Sequence, residues 1–399
     1  MKVLISGTAG ASGWPAPDCG CASCARVTPG RRPTSVVLDG SLTLGGSLPL
    51  DGSAALDGAV RLPLSGPLPP GCRASPGPDG LTVTIPGGQR VLYAASSPSS
   101  PPVPPPHGES PHGESPHGES PHGGASREER GGQEGDTGDA EEALNLVLLD
   151  VLDRPERLGD LRRRGLVGER THVVAVGVDH RVPTEAELIR RTALWGVRVV
   201  PDGTVVDTSE PPPAPVPPPR RTLLLGGSRS GKSAEAELRL AAEPEVLYVA
   251  TGPSGDGDPE WLRRVRAHRD RRPAHWGTAE TTDLAGLLRS ADTPLLIDGL
   301  GTWVAAVFDE CDAWPDGTGG NSGDGADAVA ARCDDLVAAW RQTRARVVAV
   351  SDEVGLGVVP GTASGRMFRD TLGRLNQRLA LESEDVTLVV AGRLLPLPI

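Results

Sequence analysis

Residues 220–243, RRTLLLGGSRSGKSAEAELRLAAE, constrain this chain more than any other stretch. An apolar run from Thr222 to Leu225 breaks into a glycine-rich turn that closes on Gly231-Lys232-Ser233. A segment rich in Ala, Glu and Leu follows. The spacing fits G-x-x-x-x-G-K-[ST], the phosphate-binding loop, in the strand–turn–helix setting that the pattern requires. Glycines there let backbone N–H groups close around phosphate oxygens, and the N-terminus of the next helix adds partial positive charge. Gly226, Gly227, Ser228, Arg229, Ser230, Gly231, Lys232 and Ser233 are therefore expected to bind a nucleotide. Lys232 would reach the β/γ-phosphates, and the Ser233 hydroxyl would ligate Mg²⁺. A merely flexible Gly/Ser turn would need neither the strand nor the helix.

Composition narrows the rest. With 399 residues the chain has room for two or three domains, and 52 Gly and 40 Pro point to long loops. A net charge of −12 speaks against nucleic acid as a partner, because phosphate-backbone binding needs clustered Lys and Arg. No apolar run approaches the ~20 residues of a membrane span. The opening MKVLISGTAGASGW reads as a strand entering a glycine turn rather than as a signal peptide. Six cysteines in a chain this long do not form a secreted disulfide framework, which leads to the expectation of a cytoplasmic protein with reduced thiols.

Along the chain, residues 1–94 read as short strands separated by Gly/Pro/Asp turns. Cys19, Cys21 and Cys24 fall within six residues on a Pro/Gly-rich loop. Such spacing suits a soft tetrahedral ion that takes its fourth ligand elsewhere, and equally suits incidental free thiols. Residues 95–142 are low in complexity, with a tandem HGESP repeat carrying His107, His112, His117 and His122. The tract has no apolar surface to bury, so disorder is expected; weak metal binding is the alternative. Residues 143–208 alternate strand and helix: a buried strand ending near Asp150, a helix over 155–164, a strand ending in His180, an amphipathic helix capped by Thr184, and a closing strand pair. Polyproline at 211–219 marks the clearest boundary. From Arg220 onward, regular β/α alternation implies a mostly parallel sheet covered on both faces, with the ligand at the carboxyl ends of its strands.

Asp298 ends an apolar strand, where phosphate-loop enzymes place a second magnesium ligand; a turn-forming Asp before Gly299 is the plainer reading. His268 lies among Arg263, Arg264, Arg266, Arg269, Arg271 and Arg272. So many cations favour its neutral form, which can attack phosphorus while arginines hold the phosphate oxygens. From composition alone, the same segment reads as a solvated basic helix end.

The pieces GGSRSGKS, LYVATG, RVRAHRDRRPAHWGTAE, LLIDGLGTWV, VSDEVGLGVVP, RMFRDTLGRLNQRLA and LVVAG occur in order from Arg221 to the C-terminus. Together they resemble the bifunctional adenosylcobinamide kinase/adenosylcobinamide-phosphate guanylyltransferases of cobalamin biosynthesis. The resemblance implies an α/β phosphate-loop NTPase (RecA-like) fold and two reactions. Adenosylcobinamide is first phosphorylated with ATP or GTP; GMP from GTP is then transferred to that phosphate. By position, the resemblance makes His268 the guanylylated nucleophile. It places Ala250, Thr251, Gly252, Arg269, Arg271, Arg272, Glu280 and Asp298 at the nucleotide, with Ser233 and Asp298 on Mg²⁺. It also implies a homotrimer. Two departures stand out: Asp352 where the family usually has Asn, and Gly299-Leu300-Gly301 where it usually has Cys-Leu-Thr.

GTAGASGWPAPDCGCASC and the LLDVL, VGVDH and WGVRVVPDG pieces resemble a metallo-β-lactamase-type αβ domain. By that resemblance Cys19, Cys21, Cys24 and His180 would hold a structural Zn²⁺. The HxHxDH cluster that such hydrolases need is missing, Gly177 stands roughly where a catalytic His is expected, and Asp150 is a surviving ligand position. The expectation is a degenerate, inactive domain over 1–94 and 143–208, interrupted by the insertion at 95–142, linked through 209–219 to a kinase/guanylyltransferase domain over 220–399. Two other readings are a metal-dependent hydrolase built on the HGESP histidines and a nucleotide-binding regulator without turnover.

Overall fold

The computed structural model describes residues 1–45, 68–94, 143–152, 154–252, 272–315 and 322–398. The HGESP repeat lies outside the described residues, as does all of the charged helix expected over 259–269.

Alternating apolar residues shape the N-terminal half. Strands β1 (Lys2–Gly7), β2 (Ser35–Leu38) and β3 (Leu42–Gly45) are antiparallel neighbours. A second sheet runs β4 (Arg73–Gly77), β5 (Gly80–Thr84), β6 (Arg90–Ala94), β7 (Leu146–Leu149) and β8 (His172–Ala175), its last three strands parallel. Strand β9 (Thr204–Asp207) returns to pair with β1. The sheets pack face to face, with Val3, Ile5, Val36 and Leu38 meeting Val83, Val91, Leu146 and Leu148. Helices α1 (Glu156–Arg163) and α2 (Glu185–Leu194) cover the far face of the second sheet through Leu158, Leu161 and Leu188. Strands β7 and β8 are thus buried on both sides, which explains why they read as unbroken apolar runs. The Thr184 hydroxyl caps α2 by accepting from the Glu187 N–H.

The expected closing strand pair reduces to β9 alone. Residues 197–200 are not a strand; Arg198 makes one isolated bridge to Val174. Its alternating pattern serves burial of Val197 and Val200 instead of a ladder.

In the C-terminal half, β10 (Arg221–Gly226) leads into α3 (Lys232–Leu240), followed by β11 (Leu247–Ala250), β12 (Gly277–Glu280), α4 (Leu284–Ser290), β13 (Leu295–Asp298), α5 (Leu300–Glu310), α6 (Ser322–Gln342), β14 (Val347–Asp352), α7 (Ala363–Leu381), β15 (Asp385–Val390) and β16 (Arg393–Pro396). The seven-stranded sheet has the order β12-β11-β13-β14-β10-β15-β16 and is parallel except for β16. One face packs Leu223, Val249, Ile297 and Ala349 against Trp303, Phe308, Trp340 and Leu375. The other packs Leu224, Leu296 and Val348 against Ala236 and Leu240 of α3. Helix α5 escaped sequence reading because it begins directly behind the Asp298 strand, with Gly299 as its only punctuation.

The two halves meet on α3 and the turn that follows it. Trp195 donates its indole N–H to the Leu238 carbonyl (2.7 Å), and Arg162 donates to the Ala242 carbonyl (2.8 Å). Arg190 pairs with Glu235 at 2.9 Å, and Glu235 in turn accepts from Arg239. At Gly159 an added Cβ would lie 2.5 Å from the Glu243 carbonyl oxygen, so the approach of α1 requires glycine.

Candidate active site

Every strand from β10 to β15 points its carboxyl end the same way, so the side chains that end them gather on one rim. In register, Ala250 of β11 is flanked by Glu280 of β12 and Asp298 of β13. Gly226 of β10 is flanked by Asp352 of β14. Over that rim lies the phosphate loop. At Gly226 an added Cβ would sit 2.6 Å from both the Ser230 hydroxyl and the Val389 carbonyl, so only glycine lets the loop turn there. Gly231 opens α3 with φ of 101°, in the left-handed region. The loop is pinned from outside: Gly392 N–H donates to the Ser230 carbonyl (2.8 Å), and Glu353 N–H donates to the Gly226 carbonyl (3.1 Å).

The Ser233 hydroxyl donates to Asp298 Oδ1 at 3.0 Å, and the Tyr248 hydroxyl donates to Asp298 Oδ2 at 2.8 Å. Two hard oxygen donors, the Ser233 hydroxyl and the Asp298 carboxylate, therefore already face each other, which fits Mg²⁺ and its preference for oxygen. Burial, reinforced by the Asp298 carboxylate, pushes the Tyr248 phenol well above its ordinary range. The Arg272 guanidinium lies 3.3 Å from the centre of the Tyr248 ring. Lys232 Nζ pairs with Asp352 Oδ1 at 2.8 Å and donates to the Gly227 carbonyl at 3.1 Å. The Thr251 hydroxyl donates to the Gly299 carbonyl at 2.6 Å and is 2.8 Å from the Thr302 hydroxyl, tying the end of β11 to the start of α5.

Of the expected nucleotide residues, Gly226 to Ser233, Ala250 to Gly252, Arg272, Glu280 and Asp298 thus lie at one rim, Glu280 exposed at its edge. His268, Arg269 and Arg271 lie outside the described residues. Sequence reasoning missed Tyr248 and Thr302. Tyr248 is one of only two tyrosines in the chain, and its position inside a parallel strand leading to the rim was the available signal.

The thiol loop of the N-terminal half closes a second constellation. Cys19, Cys21, Cys24 and His180 bring one ligand atom each within 4.8 Å of one another. Cys19 Sγ and Cys24 Sγ each lie 3.9 Å from His180 Nδ1. A tetrahedral ion bonded at about 2.3 Å to sulfur and about 2.0 Å to nitrogen separates such ligands by roughly 3.5 Å, so the set fits a metal ion with little contraction. Hydrogen bonds from the Cys24 backbone and the Cys19 thiol lower the Cys21 pKa, favouring the ligating thiolate. The Ser23 hydroxyl donates to the Val182 carbonyl (2.6 Å), joining the loop to the segment that carries His180.

Asp150 has a different fate. It is 2% exposed and pairs with Arg181 at 2.8 Å, and Arg181 also binds Asp179 and the Gly177 carbonyl. Burial works against the charged guanidinium, but the Asp179 and Asp150 carboxylates outweigh it and raise its pKa. Gly177, with φ of +69°, leaves only 3.0 Å between a would-be Cβ and Asp150 Oδ2. A protein cation fills the space in front of this carboxylate.

A phosphate loop above a parallel sheet, with a carboxylate two strands away, beyond β14, bonded to the loop's own serine, defines the C-terminal half as a phosphate-loop nucleotide enzyme. The chain belongs to the cobinamide kinase / cobinamide phosphate guanyltransferase family, whose description matches residues 222–397. It is 38% identical over 179 residues to the bifunctional adenosylcobalamin biosynthesis protein CobU of Salmonella typhimurium, covering 43% of this chain and 95% of that protein. The Escherichia coli protein of the same name is 37% identical over 174 residues, again 43% of this chain and 95% of the relative. The CobP protein of Pseudomonas aeruginosa is 42% identical over 183 residues, 44% of this chain and 95% of the relative. Among solved structures, a type III secretion system ATPase of pathogenic bacteria is 13% identical, covering 42% of this chain and 50% of that one with a TM-score of 0.27, too low to carry weight. The C-terminal half is a bifunctional adenosylcobinamide kinase and guanylyltransferase. No described helix is long and apolar enough to cross a membrane.

Proposed function

We propose that the chain runs its two reactions at one nucleotide site, through a guanylyl-histidine. The backbone of Gly226 to Ser233 would cradle the triphosphate, with Lys232 on its β/γ end and Ala250 to Gly252 and Glu280 lining the site. Ser233 and Asp298 would hold Mg²⁺, which when bound neutralises charge developing on the phosphates. In the kinase step, the aminopropanol hydroxyl of adenosylcobinamide takes the terminal phosphoryl group of ATP or GTP. In the transfer step, a neutral His268 nitrogen attacks the α-phosphorus of GTP, a P–N bond forms, and pyrophosphate leaves. An oxygen of the corrinoid phosphate then attacks the same phosphorus, the P–N bond breaks, and adenosylcobinamide-GDP forms. Arg269, Arg271 and Arg272 would hold phosphate oxygens meanwhile. The observation that carries this reading is the contact between Ser233 and Asp298, which joins loop and strand end into one metal-ready pair.

For the N-terminal half, we read a degenerate metallo-β-lactamase-like domain with a structural Zn²⁺ on Cys19, Cys21, Cys24 and His180. Two face-packed sheets with helices on one of them, together with the clustered ligands, support it. The guanidinium on Asp150 supports the loss of hydrolytic function. A homotrimer is the assembly that the family resemblance implies, and the reduced thiols support a cytoplasmic location.

The test is incubation with Mg²⁺ and GTP radiolabelled in its α-phosphate, followed by denaturing electrophoresis, with His268→Ala alongside. An acid-labile, alkali-stable label absent from the variant is expected. Equal labelling of both proteins, or none despite GTP binding, would sink the covalent route.

A further inference from the structure

The phosphate-loop lysine is not waiting in open solvent. Its Nζ is bonded to Asp352 Oδ1 at 2.8 Å, and its side chain is only 12% exposed. A β- or γ-phosphate oxygen would have to take the place of that carboxylate, because the Lys232 ammonium is what reaches those phosphates. Asp352 is well held for the purpose. It ends β14 in register with Gly226, and its carbonyl accepts from Asn376 Nδ2 at 3.0 Å. Asn376 is itself fixed by the Ser351 hydroxyl at 2.6 Å. Space for the carboxylate comes from Gly301 of α5, where an added Cβ would lie 2.7 Å from Asp352 Oδ2.

We propose that Asp352 is an internal competitor for Lys232, a positioning residue that loosens the hold on polyphosphate and recaptures the lysine as products leave. A carboxylate beside an ammonium mimics a phosphate oxygen in charge and hydrogen-bonding capacity. When nucleotide enters, the pair breaks and the displaced carboxylate stays close to the new negative charge, so both effects weaken binding. When product leaves, the same carboxylate returns to Lys232. Each of the two reactions releases a polyphosphate product, a nucleoside diphosphate or pyrophosphate, and one carboxylate clears both. Product release limits many enzymes of this kind, so a built-in competitor raises turnover at the cost of affinity. A ligand that stops at the α-phosphate does not reach Lys232 and does not feel the competition.

The inference rests on the nucleotide reading of the site, and one titration separates the two. Calorimetry of the full chain with Mg²⁺ and the β,γ-imido analogue of ATP, with AMP as the second ligand, would compare wild type, Asp352→Asn and Gly301→Ala. Asp352→Asn keeps the shape and removes the charge; Gly301→Ala keeps the charge and displaces the carboxylate. Both should tighten analogue binding about three- to tenfold and leave AMP unchanged. Both should also lower the KM for ATP more than they raise kcat/KM, as slowed release demands. Unchanged or weaker analogue binding in Asp352→Asn would overturn the competitor. If Gly301→Ala lowers the melting temperature, Asp352→Asn alone decides. A wild type that fails to bind the analogue would overturn the nucleotide reading, and the competitor with it.

Discussion

Asp150 and Asp298 invite a side-by-side reading. Each follows or ends a parallel strand of apolar residues, and each reads in the sequence as a metal-ligand position. Asp298 is partly exposed and takes its hydrogen bonds from the hydroxyls of Ser233 and Tyr248. Asp150 is buried and faced by the Arg181 guanidinium, with Gly177 closing in from the next turn. A hydroxyl can turn aside for an arriving cation or share it. A guanidinium with two further anchors, Asp179 and the Gly177 carbonyl, cannot, since expelling it would leave the Asp179 carboxylate without its partner. The availability of a carboxylate is decided by the exchangeability of its partners, not by its place on a strand.

The same substitution at both positions tests that contrast. Asp298→Asn should lower phosphorylation of the corrinoid by about a hundredfold or more, because on the proposed reading it removes the charge that holds Mg²⁺, while leaving the melting temperature nearly unchanged. Asp150→Asn should do the reverse. Both transfer activities persist, and stability falls by about 1–3 kcal/mol, less than a fully buried pair would cost because Arg181 is partly solvated. If Asp150→Asn also abolished transfer at unchanged stability, the contrast would be broken.

The thiol cluster extends the comparison to a site whose ligands stay available. Full-length protein should carry about one zinc per chain, and Cys21→Ser should lose most of it. Chelation should lower the melting temperature by several degrees without preventing GTP binding. A metal-free protein that melts like the untreated one would leave the cysteines as ordinary loop thiols.

The smallest expected effect comes from α2. Burial raises the Glu187 pKa, but hydrogen bonds from Arg190 and Arg191 outweigh it and hold the group below its ordinary value. A carboxylate depressed in the folded state stabilises fully above its unfolded pKa, about 4.3, and loses that contribution as pH falls through the lower folded value. Thermal melts of wild type should therefore decline below about pH 4.3 more steeply than those of Glu187→Gln. Parallel curves would mean that α2 draws nothing from this pair of arginines.

The sequence reveals these features unevenly, for physical reasons. The strand, loop and helix from Arg221 to Leu240 are legible because three local demands coincide there: an apolar run, glycines at tight positions, and a helix-forming tail. Asp298 is legible as the end of such a run. The Cys19, Cys21, Cys24 and His180 set needed the resemblance, since 156 residues separate Cys24 from His180 and no local pattern joins them. Tyr248 offered only its place in a strand leading to the rim, and Arg181 offered nothing. Their roles depend on which side chain lies across a strand or a turn, and that is set by register and packing. Helix α5 was missed because its first turn, LGTW, carries no polar cap and reads on as loop.

The docking of the two halves on α3 has a consequence for how the molecule can be divided. The prolines at 211–219 separate the halves along the chain, yet the helix that aims its N-terminus at the phosphates carries Glu235 and Leu238, and the turn behind it carries Ala242, all packed or paired with the other half. Cutting at the prolines would therefore sever a tether and leave the joint intact. The two pieces should stay together in solution after proteolysis, as a noncovalent whole held by Trp195, Arg162 and Arg190.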